Sequence, residues 1–521
     1  MPPPFFPGAV SEMLKDIVIG VDSSTTATKA IAWDRHGHAM AEGRASVPLS
    51  NPHPGFFEQD ATDWWSAAAT AISQVVAKVG ADRIAAVAIS NQRESFVALD
   101  EVGEPVRPGT LWLDERAKIE VKELAERFGG DRIHQVTGKP CDVTPGIYRL
   151  VWMKKHEPEK FARFRTITEV HAYLTHKLTG RFITSTASAD PPGFLDMASM
   201  DHARDLMAEI GLNETQFPAI VRPGEVMGEV TETASKITGL KAGTPVIAGG
   251  GDGQCAGTGV NVFAPGRAYV NMGTALVSGT YSRTYGTNRA FRTMGAVSDE
   301  GYIFESVNRT GTFLVDWILR ELFNTDPRLE TTLFKTLESE AALAGVGAGG
   351  MVLVPYWSGV MTPYWRSEAR GIIAGLNASH KRGHIYRAML DGLSLEQALS
   401  TDKAAAAVGS PIDHYVAIGG GSTSDLWCSI LADASGRTVV RSSTIEASSL
   451  GAAMAAAKGA GWYTTIEKAA ASMAGEETRR FMPEEKTAKR YRALMAIYAD
   501  LWPLLSDWNA RLAAFADESG E

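Results

Sequence analysis

The chain has 521 residues, of which 45% are apolar, 21% charged and 8% aromatic. This composition is typical of a globular protein and excludes disordered, collagen-like and coiled-coil chains. The length exceeds the roughly 250–300 residues that one hydrophobic core usually supports, so we expect two large domains. With 51 Lys and Arg against 60 Asp and Glu, the net charge of −9 argues against a surface that binds the nucleic-acid backbone.

Cysteine usage and the N-terminus predict a cytoplasmic protein that does not associate with membranes. Cys141, Cys255 and Cys428 are far apart in the chain and form no CxxC pair, so neither a disulfide framework nor a zinc site is indicated. No run of 18 apolar residues occurs, and the Pro-rich residues 1–14 lack the pattern of a signal peptide. We expect these 14 residues to form an N-terminal extension.

The first half begins with a pattern typical of a β-hairpin. Residues 16–33 comprise a β-rich run, a polar turn and a second alternating run. A helical segment follows at about residues 60–79. The apolar residues 84–89 predict a buried strand, which would present the polar residues 91–95 at its end.

The second half repeats the hairpin pattern at residues 267–281. Residues 383–408 predict a helix with apolar side chains on roughly one face. Beyond Glu476 the chain is charged and helical in pattern, and we expect Trp502 and Trp508 to dock this tail on the rest of the protein.

A second motif also occurs twice. Residues 245–252 and residues 415–422 each comprise a strand pattern and three glycines that lead into a helix pattern. The recurrence of both motifs predicts two structurally similar halves, each a mixed sheet with helices around it, which meet near residue 265.

The glycine clusters fit no generic nucleotide-binding motif. Residues 345–350 match GxGxxG, but they precede a strand and follow a helical run, the reverse of the order in a dinucleotide site. No P-loop, GxSxG elbow or HExxH pair is present. The two hairpins remain, because backbone N–H groups and Thr hydroxyls in such turns can surround phosphate oxygens. Ordinary hairpin turns are the alternative interpretation.

Residues 371–376, 384–385 and 388–391 resemble the C-terminal signature of the FGGY carbohydrate kinases, within the actin-like ATPase superfamily. The similarity extends over residues 16–475. The other matching segments are residues 20–26, 57–60, 91–94, 112–116, 249–252 and 419–422.

This resemblance implies an α/β fold of two actin-like (ribonuclease H-like) domains, each a mixed sheet flanked by helices, with the catalytic cleft between them. The expected parts are a sugar-binding domain at residues 15–264, a nucleotide-binding domain at 265–475 and a helical tail at 476–521. Two residues depart from the family pattern: Ser24 stands where glycine is usual, and Arg149 where lysine is usual.

In this family the aspartate after the three-glycine strand is the general base, which by position is Asp252. A sugar hydroxyl must lose its proton as it attacks the γ-phosphorus, and a carboxylate beside the cleft can accept that proton. The alternative role for Asp252 is a helix N-cap. Asp22 resembles the family's first-motif aspartate near Mg²⁺, a cation that prefers carboxylate and phosphate oxygens; a turn-initiating role is its alternative.

The resemblance also implies a site for ATP. Thr25, Thr26, Gly273 and Thr274 would line the β- and γ-phosphates. Lys29 would be either a phosphate contact or a solvated strand lysine. The residues expected against the adenosine are Gly420, Gly421 and Ser422.

For the sugar, Arg93 and Glu94 occupy the place where glycerol kinases carry Arg-Glu and xylulokinases usually carry Met-His. Their side chains can hydrogen-bond two hydroxyls, with a surface ion pair as the alternative. Trp112 would pack against the carbon chain. Thr144 replaces a substrate tyrosine of glycerol kinases, and residues 253–254 (Gly-Gln) replace their Gln, so the pocket differs from a glycerol site.

We therefore predict a kinase that transfers the γ-phosphoryl group of MgATP to a small sugar, with a ketose such as xylulose favoured. A polyol such as glycerol or erythritol is the alternative substrate. Two other classes stay open: an actin-like ATPase that is not a sugar kinase, and a sugar-responsive regulator without turnover. A homodimer is the expected assembly by analogy with such kinases.

Overall fold

The computed structural model describes residues 15–325, 331–409, 411–475 and 477–518. The N-terminal extension expected at residues 1–14 lies outside the described residues. The strands are β1 (Ile17–Ser23), β2 (Ala27–Trp33), β3 (Ala39–Ser46), β4 (Glu58–Gln59), β5 (Ile84–Asn91), β6 (Phe96–Leu99), β7 (Gly109–Thr110), β8 (Thr166–Glu169), β9 (Ile183–Ser185), β10 (Leu195–Asp196), β11 (Asp201–His202), β12 (Ala219–Val221), β13 (Val226–Glu229), β14 (Pro245–Gly251), β15 (Arg267–Met272), β16 (Leu276–Ser282), β17 (Arg292–Gly295), β18 (Tyr302–Asn308), β19 (Val352–Val354), β20 (Ile372–Ala374), β21 (His414–Ile418), β22 (Thr438–Ser442) and β23 (Glu477–Phe481).

Helices surround these strands. They are α1 (Ala61–Val79), α2 (Lys118–Leu124), α3 (Gly130–Thr137), α4 (Gly146–His156), α5 (Pro158–Arg163), α6 (Val170–Thr179), α7 (Thr186–Ala189), α8 (Arg204–Glu209), α9 (Glu232–Thr238), α10 (Asp252–Gly259), α11 (Thr312–Trp317), α12 (Thr331–Ala344), α13 (Arg382–Val408), α14 (Asp425–Ser435), α15 (Ala447–Gly459), α16 (Ile466–Met473) and α17 (Glu485–Glu518). Short 3₁₀ or π turns lie at Ala81–Arg83, Ala125–Gly129, Glu214–Gln216, Ile318–Leu322 and Gly420–Thr423.

The two main sheets have the same strand order. The first runs β13-β14-β5-β1-β2-β3, and the second runs β23-β22-β21-β15-β16-β18 with β17 added at its edge. In both, the three strands of the opening meander are antiparallel and the next two strands are parallel to the first. In both, an antiparallel strand closes the opposite edge. The prediction of two similar α/β halves is confirmed.

The parallel register places the predicted site residues at one edge of the first sheet. Ser23, at the end of β1, pairs with Asn91, at the end of β5, and Gly251 of β14 pairs with the same Asn91. The carboxyl ends of these three strands therefore meet. Asp22 and Asp252 are adjacent in sequence to two of these ends, so the topology brings them to the same edge.

Two helices link the halves by packing on each other's sheets. Helix α10 follows β14 of the first sheet, but its Ala256 lies in a core with Tyr269 and Val416 of the second sheet. Helix α15 follows β22 of the second sheet, but its Leu450 lies in a core with Val18 of β1. The two units therefore share their cores through this exchanged pair of helices.

Glycines let the exchanged helices approach backbone atoms closely. A Cβ atom at Gly451 of α15 would lie 1.9 Å from the carbonyl oxygen of Cys255 in α10. A Cβ atom at Gly20 of β1 would lie 1.9 Å from the carbonyl oxygen of Ser449. No side chain fits in either place, because real Cβ contacts are much longer.

After residue 475 the chain adds an edge strand and a long helix to the second unit. Strand β23 pairs with β22, and α17 buries Trp502 and Tyr498 in the second core. The prediction that Trp508 also docks the tail is wrong, since half of its surface is exposed. Within the described residues, none of the helices combines the length and apolarity needed to cross a lipid bilayer. The expected boundaries at residues 264 and 475 stay predictions.

The helix contact gives a stability prediction. We expect Gly451→Ala to destabilise the protein by at least about 2 kcal/mol, because the added methyl group overlaps a carbonyl oxygen that cannot move without shifting α10. Thermal unfolding followed by circular dichroism should show a Tm at least about 3 °C lower. Gly420→Ala is the control, because a Cβ there meets no atom within 4 Å. Equal Tm values for the two variants would contradict the proposed tight contact.

Candidate active site

A cleft of about 620 Å³ lies between the two units. Its walls come from the strand ends of the first sheet, from the β15–β16 turn of the second sheet and from the loops that follow them. The residues predicted from the sequence that line it are Asp22, Arg93, Glu94, Trp112, Asp252, Gly273 and Thr274. The structure therefore brings together most of the predicted site.

Asp252 is the first residue of α10, directly after β14. Gly251 occupies the N-cap position of the helix, so the alternative role of Asp252 as an N-cap is excluded. The Asp252 Oδ1 atom accepts a hydrogen bond from the backbone N–H of Gly253 at 2.7 Å. Its side chain is 38% exposed and lines the cleft.

Asp22 is a second carboxylate in the same cleft. The Ser90 hydroxyl donates to Asp22 Oδ1 at 3.0 Å. Burial, together with the negative charge on Asp252, raises the pKa of Asp22 to about 7. Two carboxylates that share a partly dry cleft disfavour each other's ionised form, and this arrangement attracts cations.

A ladder of alternating charges joins the two units across the cleft. Arg93 lies 3.0 Å through Nε from Asp252 Oδ1 and 2.8 Å through Nη1 from Glu305 Oε2. Arg292 donates through Nε to Glu305 Oε1 at 2.8 Å and through Nη1 to Glu94 Oε1 at 2.7 Å. The side chains of Arg93 and Glu94 are 9% and 5% exposed, so their interpretation as a surface ion pair is excluded.

Glu305 is the centre of this ladder. It is fully buried and also accepts a hydrogen bond from the Tyr269 hydroxyl at 2.8 Å. Burial alone would favour its neutral form, but Arg93 and Arg292 lower the pKa of Glu305 to about 2. The carboxylate is therefore charged over the whole physiological range.

Glu94 reaches the cleft from an unusual backbone conformation. Its φ angle is 59°, in the left-handed region that residues other than glycine rarely adopt. The buried Arg149 guanidinium donates to the carbonyl oxygens of Glu94 and Thr144. Arg149, one of the two departures from the family pattern, thus supports the loop that carries Glu94.

Trp112 and Thr144 form another part of the cleft wall. The Trp112 indole N–H donates to Thr25 Oγ1 at 2.9 Å, which ties the wall to the first hairpin. Thr144 Oγ1 accepts a hydrogen bond from Arg309 at 3.2 Å, and Arg309 also pairs with Asp142 at 2.9 Å. A second contact between the units therefore lies beside Thr144.

The two hairpins contribute unequally to the cleft. Gly273 and Thr274 line it, whereas Thr26 is exposed and is not among the lining residues. The interpretation of Lys29 as a solvated strand lysine is wrong, because its Nζ lies 2.5 Å from the Glu446 carboxylate and forms an ion pair between the units. Its role as a phosphate contact stays a prediction.

The turn at Gly420–Thr423 lies outside the cleft lining but beside the second hairpin. A Cβ atom at Gly419 would lie 3.1 Å from the backbone N of Gly273. Gly420 is exposed, and a Cβ atom there would meet nothing within 4 Å. The Ser422 hydroxyl donates to the Gly419 carbonyl at 2.7 Å. The exposed backbone of this turn is therefore adjacent to Gly273.

Sequence reasoning missed Arg292, Glu305 and Arg309, all from the second unit. Glu305 is the middle residue of β18, whose seven residues are all buried, and Arg292 begins the buried strand β17. A charged residue inside an apolar strand run is a usable signal, because burial of a charge requires a partner. This signal does not identify the residue that pairs with the buried charge.

Comparison with known proteins agrees with the fold. Family models for the N-terminal and C-terminal domains of the FGGY family of carbohydrate kinases match residues 17–259 and 255–460. A xylulose kinase of Bacillus subtilis is 27% identical over 515 residues, covering 96% of this chain and 99% of the relative. A glycerol kinase of Pseudarthrobacter chlorophenolicus is 29% identical over 502 residues, covering 92% and 96%.

The solved structure of a xylulose kinase from Rhodospirillum rubrum superposes with a TM-score of 0.87 at 26% identity, covering 95% of this chain and 99% of that one. The two family models together span most of the chain, from β1 to β22. The chain therefore belongs to the FGGY family of carbohydrate kinases and is a phosphotransferase that acts on carbohydrate hydroxyl groups.

Proposed function

We propose that this kinase transfers the γ-phosphoryl group of MgATP to a hydroxyl of a small neutral sugar, with Asp252 as the general base. The observation that carries this proposal is the position of Asp252, whose carboxylate opens into the cleft that Gly273 and Thr274 line from the other unit. A base on one wall and a phosphate-binding turn on the other are the two parts that in-line phosphoryl transfer requires.

The chemistry follows from the acidity of the acceptor. A sugar hydroxyl is a weak nucleophile until its proton is taken up as the O–P bond forms. A solvent-accessible carboxylate within reach of the hydroxyl can accept that proton. The Asp252 side chain is 38% exposed and lines the cleft, with the Arg93 guanidinium beside it.

Asp22 fits a magnesium site completed by nucleotide phosphates. The described residues hold no cluster of three or more His, Cys, Asp or Glu side chains that could bind a metal alone. Mg²⁺ commonly uses one or two carboxylates plus phosphate oxygens and waters. A bound Mg²⁺ would offset the effects of burial and of the Asp252 charge that together raise the pKa of Asp22, and it would neutralise charge on the transferred phosphoryl group.

For ATP, we propose that Gly273 and Thr274 contact the terminal phosphates, with Thr25 and Thr26 at the opposite hairpin. Small residues let backbone N–H groups approach phosphate oxygens. The adjoining open turn would then lie against the adenosine, through Gly420, Gly421 and Ser422.

The charges in the cleft favour a neutral sugar over a sugar acid. Arg93, Arg292 and Arg309 are the guanidinium groups that line the cleft, and each already pairs with a carboxylate. A sugar carboxylate would have to displace one of these partners and leave it buried and unpaired. The named relatives include xylulose kinase, so we favour a ketose such as xylulose, with a polyol as the second candidate.

Asp252→Asn tests the base. We expect kcat to fall at least about 100-fold, because the amide cannot accept the hydroxyl proton in the transition state. ATP binding, measured by isothermal titration calorimetry, and the Tm should stay close to wild type. A variant with wild-type turnover would contradict the assignment of Asp252.

A coupled ADP-release screen over pentuloses, hexuloses, polyols and aldonates tests the substrate. We expect a neutral ketose to give the highest kcat/KM and aldonates the lowest, at least about tenfold apart, because each of the described guanidinium groups that line the cleft is already paired with a carboxylate. Sugar-independent turnover would instead support an actin-like ATPase. Sugar binding without turnover would support a regulator.

We also propose that the enzyme acts as a homodimer in the cytoplasm, where ATP is available and where its three free cysteines stay reduced. Ile497, Leu504 and Trp508 lie on one face of α17 and are 50–76% exposed. Large apolar side chains that share an exposed helix face are typical of an interface. A second copy of α17, packed antiparallel around Leu504, would cover them.

Leu504→Asp tests this interface. We expect the wild-type enzyme to elute as a dimer in size-exclusion chromatography with light scattering, and the variant as a monomer with its Tm and kinase activity retained, because a charge at the centre of an apolar interface opposes pairing. Ala496→Asp, which adds the same charge on an adjacent exposed face of the helix, should stay dimeric. A monomeric wild-type protein at tens of micromolar would refute the proposal.

A further inference from the structure

Glycines on both sides of Asp252 form a slot for a neighbouring side chain. A Cβ atom at Gly251 would lie 2.5 Å from Cγ of Arg93. A Cβ atom at Gly253 would lie 2.9 Å from both Arg93 Cζ and Glu305 Oε2. Any other residue at these two positions would push Arg93 and Glu305 away from Asp252.

The side chain in this slot is Arg93, which is held in place by Glu305 of the second unit. Arg93 Nη1 lies 3.0 Å and 2.8 Å from the two carboxylate oxygens of Glu305. Glu305 is itself fixed by the Tyr269 hydroxyl and by Arg292. Since Glu305 is fully buried, it has no room to follow a moving partner, and Arg93 takes its position from Glu305.

One oxygen of the Asp252 carboxylate, Oδ1, has two contacts in this arrangement. Oδ1 accepts the Gly253 backbone N–H at 2.7 Å and lies 3.0 Å from Arg93 Nε. Because both contacts are to Oδ1, they restrict rotation of the Asp252 side chain, which lines the cleft. Neither contact involves Oδ2.

We infer that Glu305 is a positioning residue of this kinase: acting through Arg93, it fixes the Asp252 carboxylate so that Oδ2 receives the proton of the sugar hydroxyl. This inference rests on the proposed role of Asp252. Glu305 belongs to β18 of the second unit, whereas Arg93 and Asp252 belong to the first. The orientation of the base therefore depends on the two units being closed on each other, which couples cleft closure to chemistry.

A double-mutant cycle tests whether Glu305 acts through Arg93. We expect Glu305→Gln to lower kcat roughly 10- to 100-fold, the effect of a small misplacement of a reacting group, with the KM for ATP within about twofold of wild type. In an Arg93→Ala background, Glu305→Gln should lower kcat no further, because the group it positions is gone. Glu396→Gln makes the same change at a buried glutamate outside the cleft lining, which accepts hydrogen bonds from Tyr356 and Tyr498. It is the matched control and should lower kcat less than threefold.

Gly253→Ala tests the slot without changing any charge. We expect kcat to fall at least about tenfold while the KM for ATP stays within about twofold of wild type, because the methyl group displaces Arg93 from Asp252. Alanine suits the first turn of a helix better than glycine, which offsets part of the stability lost at the Arg93–Glu305 pair. A purely structural role of the pair would lower the Tm without separating kcat from KM in this way. If Glu305→Gln does not fold, the kcat of Gly253→Ala still tests the positioning role.

The outcomes distinguish this inference from the proposed function. Full turnover in Asp252→Asn would overturn the base assignment and the inference with it. Loss of turnover in Asp252→Asn, together with independent effects of Glu305→Gln and Arg93→Ala or with wild-type kcat in Gly253→Ala, would overturn the positioning role alone. Non-additive effects with low kcat in Gly253→Ala would support it.

Discussion

The cleft depends on the contact between helices α10 and α15, which cross between the two sheets with backbone atoms nearly touching. Each helix follows one sheet and packs on the other, and Gly451 allows the approach to the Cys255 carbonyl. A contact of this kind is stiff, because packed interiors resist compression. Asp252 begins α10, so its distance from the β15–β16 turn is set by the same contact that holds the units together.

Around that fixed geometry, the charges are arranged so that most of them are neutralised locally. Arg93 and Arg292 each contact two carboxylates, and Glu305 accepts from both arginines. Burying these paired charges costs less free energy than burying unpaired ones. Removing one residue would leave the charge of its partner unpaired in the low-dielectric interior. Asp22 differs, because burial and the charge on Asp252 raise its pKa. The negative charge that is not neutralised by an arginine therefore lies beside Asp22, where the magnesium ion is proposed.

Arg149 departs from the family pattern, and Gly253 and Thr144 differ from glycerol kinases; each has contacts in this structure that explain the difference. Gly253 leaves space that the Arg93 guanidinium and Glu305 occupy. Arg149 donates to the carbonyl of Glu94, whose backbone adopts a conformation that needs such support. Thr144 leaves room for Arg309 to cross from the second unit. Two of these residues contact each other directly, since the Arg149 guanidinium donates to the Thr144 carbonyl oxygen at 3.0 Å.

The sequence by itself determined the hairpins, the three-glycine strands, the recurrence of two halves and the position of Asp252, because these follow from local alternation, turn chemistry and short motifs. It did not determine that Arg93 meets Glu305, 212 residues away, or that α15 packs on the first sheet. Trp508 shows the same limit, since its apolar side chain predicted docking and the helix instead turns it outward. Contacts between distant segments depend on how whole sheets and helices pack, and no local pattern encodes which buried charge will face which partner.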